Sequence, residues 1–453
     1  MLDYTKIDTY LEAHLEDSLA ELSSLVAQPS VGAQNWGMNE CAALVASMLR
    51  KRGFEVEILA TGGAPVVFGE HRGKSDKTLL FYNHYDVQPP EPLELWETPP
   101  FEASLREGKL YGRGISDDKG HIAARLFAVD ALLADGDLPC KVKFIIEGEE
   151  ETSSLHLHDF VRNNLKRLAA DACIWEFGGV DHHDTPLQYL GLRGICYVEL
   201  TVETASSDVH SGIGGSIFPN AAWRLVWALN TLKGPDERIR IPGFYEAVKE
   251  PTARDRELMA VLPDTAEEYK TRYNLKGFIK GLTGGVELRL AEVLEPTCTI
   301  CGLTSGYQAK GSKTVLPAKA SAKIDFRLVP DQTPEQVLKQ LRTHLDTEGF
   351  SDVQIEYLGG EAPARTDPDH PFVKIVVETA SEVYGVPMQI MPMHGGSGPN
   401  SPFIHDLGLP VATAGMGYPD THLHAPNENI RIDLYLKHAK HIARVLREFV
   451  YLR

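Results

Sequence analysis

Helix-like and strand-like patterns alternate along the first part of the chain, from residue 43 to about residue 190. Three apolar, strand-like runs are TLLFYNHYD (78–86), VKFIIEG (142–148) and DACIWEF (171–177). Between the first two lies a helical pattern, DDKGHIAARLFAVDALLADG (117–136), which begins with acidic residues. Strands separated by helices predict an open α/β fold with a mostly parallel sheet flanked by helices.

The pattern changes after GLRG (191–194). CYVELTVETA (196–205) alternates like a half-buried strand, and a β-α-β-α-β order with a long middle segment follows it. Helix and strand patterns resume at about residue 367. We therefore expect a discontinuous first domain, residues 1–190 and 367–453, interrupted by an inserted α+β domain over residues 191–366.

The composition of the chain indicates which partners are disfavoured and where in the cell it is expected. The formal net charge of −18 disfavours nucleic acid and anionic membranes as partners. No run approaches the roughly 18 consecutive apolar residues of a membrane span. The first 26 residues have acids spread through a helical pattern, which is not typical of a signal peptide. These features predict a cytoplasmic protein.

The triplet His84-Tyr-Asp86 stands where the first strand ends. Ligands of open α/β sheets bind at that edge, and residues two apart on an extended chain point to the same side. A carboxylate in this place can hold the second nitrogen of a metal-binding histidine. Taken alone, the triplet fits a structural histidine better.

Two further segments concentrate acids beside glycines. GRGISDDKG (112–120) lacks the third glycine of a phosphate-binding loop, and its acids would repel phosphate. It can instead be an acidic helix cap or supply a metal-bridging carboxylate. In FIIEGEEETSS (144–154), four glutamates follow a strand, where a solvated acidic turn is the usual interpretation.

Taken together, these signals converge on one edge of the sheet. Two histidines and three carboxylates suit two zinc ions that share a bridging carboxylate, with one extra carboxylate as general base. The residues offered by the strand ends and the adjoining helix start are His84, Asp117, Glu150 or Glu151, Glu176 and His424.

The ordered motifs H-x-D, GRGxxDDKG, EGxEE, a strand-ending acid and H-[AS]-x-N-E make the chain resemble a known family. It is the dizinc metallopeptidase family of carnosine-type dipeptidases, aminoacylase, glutamate carboxypeptidase and succinyl-diaminopimelate desuccinylase. The likeness runs from about residue 10 to the C-terminus. GLRGICYVEL and the HSG that begins at His210 resemble the carnosine-dipeptidase branch in particular.

The resemblance implies a role for each metal-site residue. His84 and Glu176 would bind one zinc ion, Glu151 and His424 the other, and Asp117 would bridge the pair. Two Zn²⁺ per subunit are expected, for which Mn²⁺ or Co²⁺ can substitute. Asp86 would orient His84, and Glu150 would be general base and acid for a metal-bridging water. Glu149 falls at a variable position and is expected to face solvent, whereas Glu147 has no assigned role.

The resemblance also implies a ferredoxin-like inserted domain that acts as lid and forms a homodimer. His210 would reach the partner subunit's site and stabilise the oxyanion. Thr314 and Arg327 would hold the oxyanion and the terminal carboxylate of the substrate. His370 and Ser397 match further substrate-side positions.

These implications predict hydrolysis of the amide bond in dipeptides or short peptides that bear a free carboxylate. Relatives with dipeptidase activity often carry aspartate where this chain has Glu176, and glutamate is more usual in carboxypeptidases and deacylases. An N-acyl-amino-acid deacylase or carboxypeptidase is therefore the alternative. A non-catalytic metal-binding dimer is a more distant one, disfavoured because Glu150 binds no metal in this scheme.

Overall fold

The computed structural model describes residues 2–452. In that range no helix is both long and apolar enough to cross a membrane. The α-helices, numbered in chain order, are α1 (Thr5–Ala13), α2 (Leu15–Ala27), α3 (Met38–Lys51), α4 (Lys119–Ala134), α5 (Leu157–Asn163), α6 (Leu165–Leu168), α7 (Ser211–Gly214), α8 (Ala221–Leu232), α9 (Ala253–Ala260), α10 (Ala266–Tyr273), α11 (Gly285–Leu294), α12 (Pro334–Thr347), α13 (Pro371–Tyr384) and α14 (Ile432–Phe449).

The strands are numbered in the same way. They are β1 (Glu55–Leu59), β2 (Val66–His71), β3 (Ser75–His84), β4 (Ser104–Arg106), β5 (Lys109–Tyr111), β6 (Cys140–Glu147), β7 (Ala172–Trp175), β8 (Gly179–Val180), β9 (Pro186–Tyr189), β10 (Gly191–Leu192), β11 (Gly194–Glu203), β12 (Val209–His210), β13 (Thr297–Ser305), β14 (Val315–Leu316), β15 (Lys319–Leu328), β16 (Gln354–Glu361), β17 (Ala364–Arg365), β18 (Gln389–Met391), β19 (Val411–Thr413) and β20 (Asn429–Arg431).

The chain forms two compact units. Unit 1 comprises residues 1–191, 365–392 and 399–453, and unit 2 comprises residues 192–364 and 393–398. The short segment Met393–Gly398 thus belongs to unit 2, although the sequence pattern placed it in the first domain. The lid and dimerisation roles of the inserted domain stay predictions.

A six-stranded sheet forms the centre of unit 1, in the order β1-β2-β6-β3-β7-β19. The strands β6, β3, β7 and β19 run parallel to one another, and β1 and β2 add an antiparallel edge. The parallel strands are apolar along almost their whole length, because helices cover both faces of such a sheet. The helices α4 and α14 pack against each other in the same core.

This topology decides where the strand-end side chains lie. In the β3–β6 register His84 stands opposite Glu147, and Glu150 begins a short 3-10 helix three residues later. The strand β7 pairs with the other side of β3 and ends just before Glu176. Carboxyl ends of adjacent parallel strands meet at one edge of the sheet. The sheet therefore brings these residues together at one edge.

Unit 2 is built on an antiparallel sheet with the order β13-β15-β11-β16. Along β11, buried residues alternate with partly exposed ones, since only one face of the sheet is covered. The helices α8 and α12 pack on β11. The order of strands and helices is that of a ferredoxin-like α+β domain. The predicted fold class, a mostly parallel α/β sheet with an inserted α+β domain, is confirmed.

Candidate metal centre

His84 lies at the carboxyl end of β3 and is 1% exposed. Its Nδ1 is 3.3 Å from the Asp86 carboxylate and 3.1 Å from the Asp86 carbonyl oxygen. Its Nε2 is 3.0 Å from Asp117 Oδ1 and 4.0 Å from Glu176 Oε2. One ring nitrogen is thus held by Asp86, and the other points at two carboxylates.

Asp117 stands between two histidines. Its Oδ1 faces His84, and its Oδ2 lies 3.1 Å from His424 Nε2. The same nitrogen of His424 is 3.2 Å from Glu151 Oε2. The site therefore has two halves that share Asp117, one with His84 and Glu176 and the other with Glu151 and His424.

The donor chemistry of this site fits divalent cations. Asp117, Glu151 and His424 each offer a ligand atom, and these atoms lie within 4.8 Å of one another. On the other half, Glu176 Oε2 is buried and has no hydrogen-bond partner among residues 2–452, although a buried carboxylate oxygen normally needs one. Imidazole nitrogen and carboxylate oxygen are ligands that Zn²⁺ accepts. The residues therefore fit two cations that share Asp117.

Hydrogen bonds and burial shift the pKa values of several side chains at this site. Hydrogen bonds to Asp117 and Glu151 raise the pKa of His424 to about 10. Burial opposes the charge of His84, but hydrogen bonds to Asp117 and Asp86 raise the pKa of that ring well above its usual range. Burial, followed by the nearby Glu150, raises the pKa of Glu176 well above that of a free carboxyl. Cations bound here would replace protons as the compensating charge.

Glu150 belongs to the site but not to either ligand group. Burial raises the pKa of its carboxyl to about 8, and the Asp117 and Glu151 carboxylates act in the same direction. Its backbone N–H donates to Asp86 Oδ1 at 3.3 Å. A carboxyl with a raised pKa beside a metal centre has the property that a general base and acid requires.

Asp86 does more than hold His84. Its carboxylate is fully buried and also accepts the backbone N–H of Glu151, at 3.0 Å. It therefore joins the end of β3 to the first turn of the 3-10 helix Glu150–Thr152. A single carboxylate positions His84, the candidate base and a candidate ligand.

The remaining two glutamates of the acidic run have distinct environments. Glu147 is 2% exposed and accepts hydrogen bonds from Tyr82 at 2.5 Å and Ser154 at 3.0 Å. The expectation that Glu149 faces solvent is wrong. Its side chain is only 15% exposed and lies 2.8 Å from His156 Nδ1, because the chain after the acidic turn folds back over it.

Sequence reasoning missed two polar residues that support the site. Arg125 is fully buried in α4 and donates to carbonyl oxygens at the ends of three parallel strands, those of Tyr82, Trp175 and Ala414. Gln88 donates to Glu151 Oε2 at 2.8 Å. A charged residue within the apolar pattern HIAARLF was the available signal for Arg125, whereas nothing in the sequence marked Gln88.

Within unit 2, the predicted substrate-side residues form two pairs. His210 Nε2 is 3.4 Å from Thr314 Oγ1, and both side chains are exposed. Arg327 donates to Ser397 Oγ at 2.8 Å and lies 3.5 Å from Asp325. Their roles toward a substrate stay predictions.

His370, in unit 1, begins the helix α13. Its Nδ1 accepts the backbone N–H of Phe372 at 3.1 Å, as an N-cap side chain does. This contact gives His370 a structural function. Its predicted substrate role stays a prediction.

Comparison with known proteins decides the family. The model of Peptidase family M20/M25/M40 matches residues 80–448. The chain belongs to this peptidase family. Cys-Gly metallodipeptidase dug1 of Schizosaccharomyces pombe is 29% identical over 466 residues, which cover 96% of each protein. Human Beta-Ala-His dipeptidase is 29% identical over 369 residues, covering 75% of this chain and 71% of that protein.

Solved structures agree with this assignment. An M20 family metallo-carboxypeptidase, Sso-CP2 of Sulfolobus solfataricus, superposes with a TM-score of 0.91 and 37% identity, over 96% of this chain and 99% of that one. The di-peptidase Dug1p of Saccharomyces cerevisiae gives a TM-score of 0.82 and 25% identity, over 99% of each chain. The predicted family and its enzyme class, a hydrolytic metallopeptidase, are confirmed.

We predict that Glu147 makes the stability of the metal-free protein dependent on pH. Burial raises the pKa of this carboxyl from 4.5 to about 8, so the folded protein binds a proton that the unfolded chain releases. The resulting stabilisation is complete below pH 4.5 and is lost as the pH rises to about 8, an effect on the order of a few kcal/mol.

Glu147→Gln should therefore flatten the fall in the free energy of unfolding between about pH 5 and about pH 8. Urea denaturation of the metal-free protein at both pH values measures it. The exposed-residue control Glu16→Gln should keep the wild-type slope. A Glu147→Gln slope equal to that of the wild type would contradict the assignment.

Proposed function

We propose that this protein is a dizinc peptidase that hydrolyses the amide bond of dipeptides or short peptides with a free carboxylate. The observation that carries the proposal is the sharing of Asp117 by two histidine-containing ligand groups, with the uncommitted Glu150 beside them. The dipeptidase names of the relatives support the substrate class. A cytoplasmic location stays a prediction.

The ligand roles follow the two halves of the site. His84 and Glu176 would hold one cation, Glu151 and His424 the other, and Asp117 both. Two such cations, when bound, polarise the scissile carbonyl and make a water molecule acidic at neutral pH. Zn²⁺ suits this donor set, and Mn²⁺ or Co²⁺ can replace it.

The proton transfers fall to Glu150. As a carboxylate it accepts a proton from the attacking water, and as a carboxylic acid it then donates that proton to the leaving amine. Burial raises the pKa of this carboxyl to about 8, so its surroundings favour the protonated form. With cations bound nearby, this pKa would fall toward neutrality, where Glu150 can both accept and donate a proton.

In unit 2, Arg327 is the proposed partner of the substrate carboxylate. Its side chain is 30% exposed, and the guanidinium is steadied by Ser397 and Asp325. A planar guanidinium held in this way can bind a carboxylate through two hydrogen bonds. His210, paired with Thr314, is the proposed oxyanion donor.

A carboxypeptidase is the second candidate function. The Sulfolobus structure that shares 37% of the sequence is a metallo-carboxypeptidase, and Glu176 is the residue expected in that group. Both activities require the same carboxylate-binding residue and the same metal centre. They differ in whether the substrate must present a free amino group close to the scissile bond.

We also propose a homodimer formed through unit 2. Trp223 and Trp227 of α8 stack on each other and are 58% and 53% exposed. On β13, an edge strand of the sheet, Ile300 and Leu303 are 51% and 54% exposed. Large exposed apolar side chains and an open strand edge favour association with another chain.

Glu150→Gln should lower kcat by about 100-fold or more, because the amide cannot carry the proton. Metal analysis should still find two zinc ions per subunit. Glu149→Gln is the matched control, because the Glu149 carboxylate is adjacent in sequence but contacts His156 instead of the metal-site residues. The Glu149→Gln enzyme should keep most of the activity. An active Glu150→Gln enzyme would refute the proposed base.

A substrate panel separates the two candidate activities. Zinc-loaded enzyme should hydrolyse free dipeptides faster than their N-acetylated analogues, measured as kcat/KM for matched pairs. Faster hydrolysis of the acetylated or longer substrates would replace the dipeptidase proposal with the carboxypeptidase or deacylase alternative. No hydrolysis of either class, with both metals bound, would exclude both activities.

Hybrid dimers test whether His210 acts in the partner subunit's site. Neither His210→Ala nor Glu150→Ala alone should be active, because each lacks one group of every site. A hybrid dimer of one His210→Ala subunit and one Glu150→Ala subunit should recover up to about half the activity of a wild-type dimer. One of its two sites then holds both Glu150 and the partner's His210. Absence of recovery in hybrids confirmed by mass spectrometry would show that His210 does not act across subunits.

A further inference from the structure

Glu428 is a fully buried carboxylate just after the candidate ligand His424. Only 1% of its surface is exposed. Its Oε2 accepts hydrogen bonds from Arg113 Nη1 at 2.7 Å and from the backbone N–H of Gly114 at 2.9 Å. Its Oε1 accepts from the backbone N–H groups of Ser116 at 2.9 Å and Asp117 at 3.1 Å. One carboxylate therefore satisfies four donors.

Three of these donors are backbone groups of the loop that carries Asp117. The loop lies between β5 and α4 and can aim its N–H groups inward partly because Gly114 has φ +78°. A side chain at Gly114 would also meet Val87 Cγ1 at 2.3 Å. The backbone N–H of Asp117 itself donates to Glu428, so the position of the Asp117 carboxylate depends directly on this contact.

The other end of the contact is the loop that carries His424. Glu428 follows His424 by four residues, and Asn429 closes that loop by donating its backbone N–H to the carbonyl oxygen of Thr421 at 2.9 Å. The Glu428 carbonyl oxygen also accepts the N–H of Gly112 at 3.0 Å. Both the side chain and the backbone of Glu428 thus tie the His424 loop to the Asp117 loop.

Arg113 extends the connection to a third loop. Its side chain is also buried, and its Nη2 donates to the carbonyl oxygen of Pro89 at 3.2 Å. Pro89 lies three residues after Asp86, the residue that holds His84. The Arg113–Glu428 ion pair therefore connects the chain segments that follow β3, precede α4 and precede β20.

We propose that Glu428, paired with Arg113, is a positioning residue that sets Asp117 and His424 at the separation needed to bind a divalent cation. The proposal rests on the two-cation site proposed above. A purely structural ion pair would affect unfolding alone. A positioning residue affects the order of the Asp117 loop and the affinity for metal beyond any loss of stability.

Glu428→Gln is the direct test, because the amide keeps the shape of the side chain and removes its charge and half of its acceptor capacity. The matched control is Glu21→Gln, which removes a carboxylate bonded to the buried Arg52 elsewhere in unit 1. Hydrogen exchange of the metal-free proteins, followed by mass spectrometry, reports on residues 112–118. A Co²⁺ titration of the same proteins reports on metal affinity.

In Glu428→Gln, exchange in residues 112–118 should be at least about tenfold faster, because the hydrogen bonds to one oxygen are lost and those to the other no longer have a charged acceptor. Co²⁺ affinity should fall by about 10–100-fold, as it does when a residue that supports a metal ligand is removed. Glu21→Gln should leave both at wild-type values. The proposal would be overturned if Glu428→Gln showed the same exchange rate in residues 112–118 and the same Co²⁺ affinity as Glu21→Gln.

Arg113→Lys replaces Glu428→Gln if that variant does not fold, since lysine keeps the buried positive charge but cannot reach both Glu428 and Pro89. It should shift exchange and Co²⁺ affinity in the same direction, and wild-type values would overturn the proposal. If the wild-type protein binds no Co²⁺ or Zn²⁺, the two-cation proposal fails instead. The exchange measurement then still decides whether Glu428 holds the Asp117 loop.

Discussion

The structure depends on one carboxylate that two histidines approach from opposite sides. Asp117 offers Oδ1 to His84 and Oδ2 to His424, and these two contacts lower the pKa of its carboxyl below the usual range, although desolvation acts in the opposite direction. Glu151 and Glu176 converge on the same place, which is electrostatically unfavourable without a cation. The fold fixes the positions of these carboxylates and histidines through contacts outside the ligand groups, so their arrangement does not depend on a bound cation.

Buried polar residues position the candidate ligands as much as the strands do. Parallel strands bring His84 and Glu176 to one edge of the sheet, and Arg125 bonds the carbonyl oxygens where those strands end. Asp86 then fixes both a histidine and the turn that carries the candidate base. Burying such charges costs free energy, and each is compensated by several hydrogen bonds. The centre is therefore preorganised by a network that reaches well beyond its ligands.

Much of this arrangement could be predicted from the sequence, because apolar runs that end in histidine or acid define both a strand and the edge at which it ends. His84 and Glu176 could be placed for that reason. Glu149 could not, because an acidic run looks solvated unless the fold of the following turn, which brings His156 to it, is known. The three carbonyl contacts of Arg125 depend on strands distant in sequence. Met393–Gly398 is too short for its own pattern to show which unit it joins.

Two cations that share Asp117 are the basis of the proposed activity. Anomalous diffraction from crystals of the zinc-loaded protein, collected at the zinc absorption edge, measures this directly. We expect two peaks about 3.5–4 Å apart on either side of Asp117, one beside His84 and Glu176 and the other beside Glu151 and His424. A single peak, or a pair of which one does not contact Asp117, would contradict it.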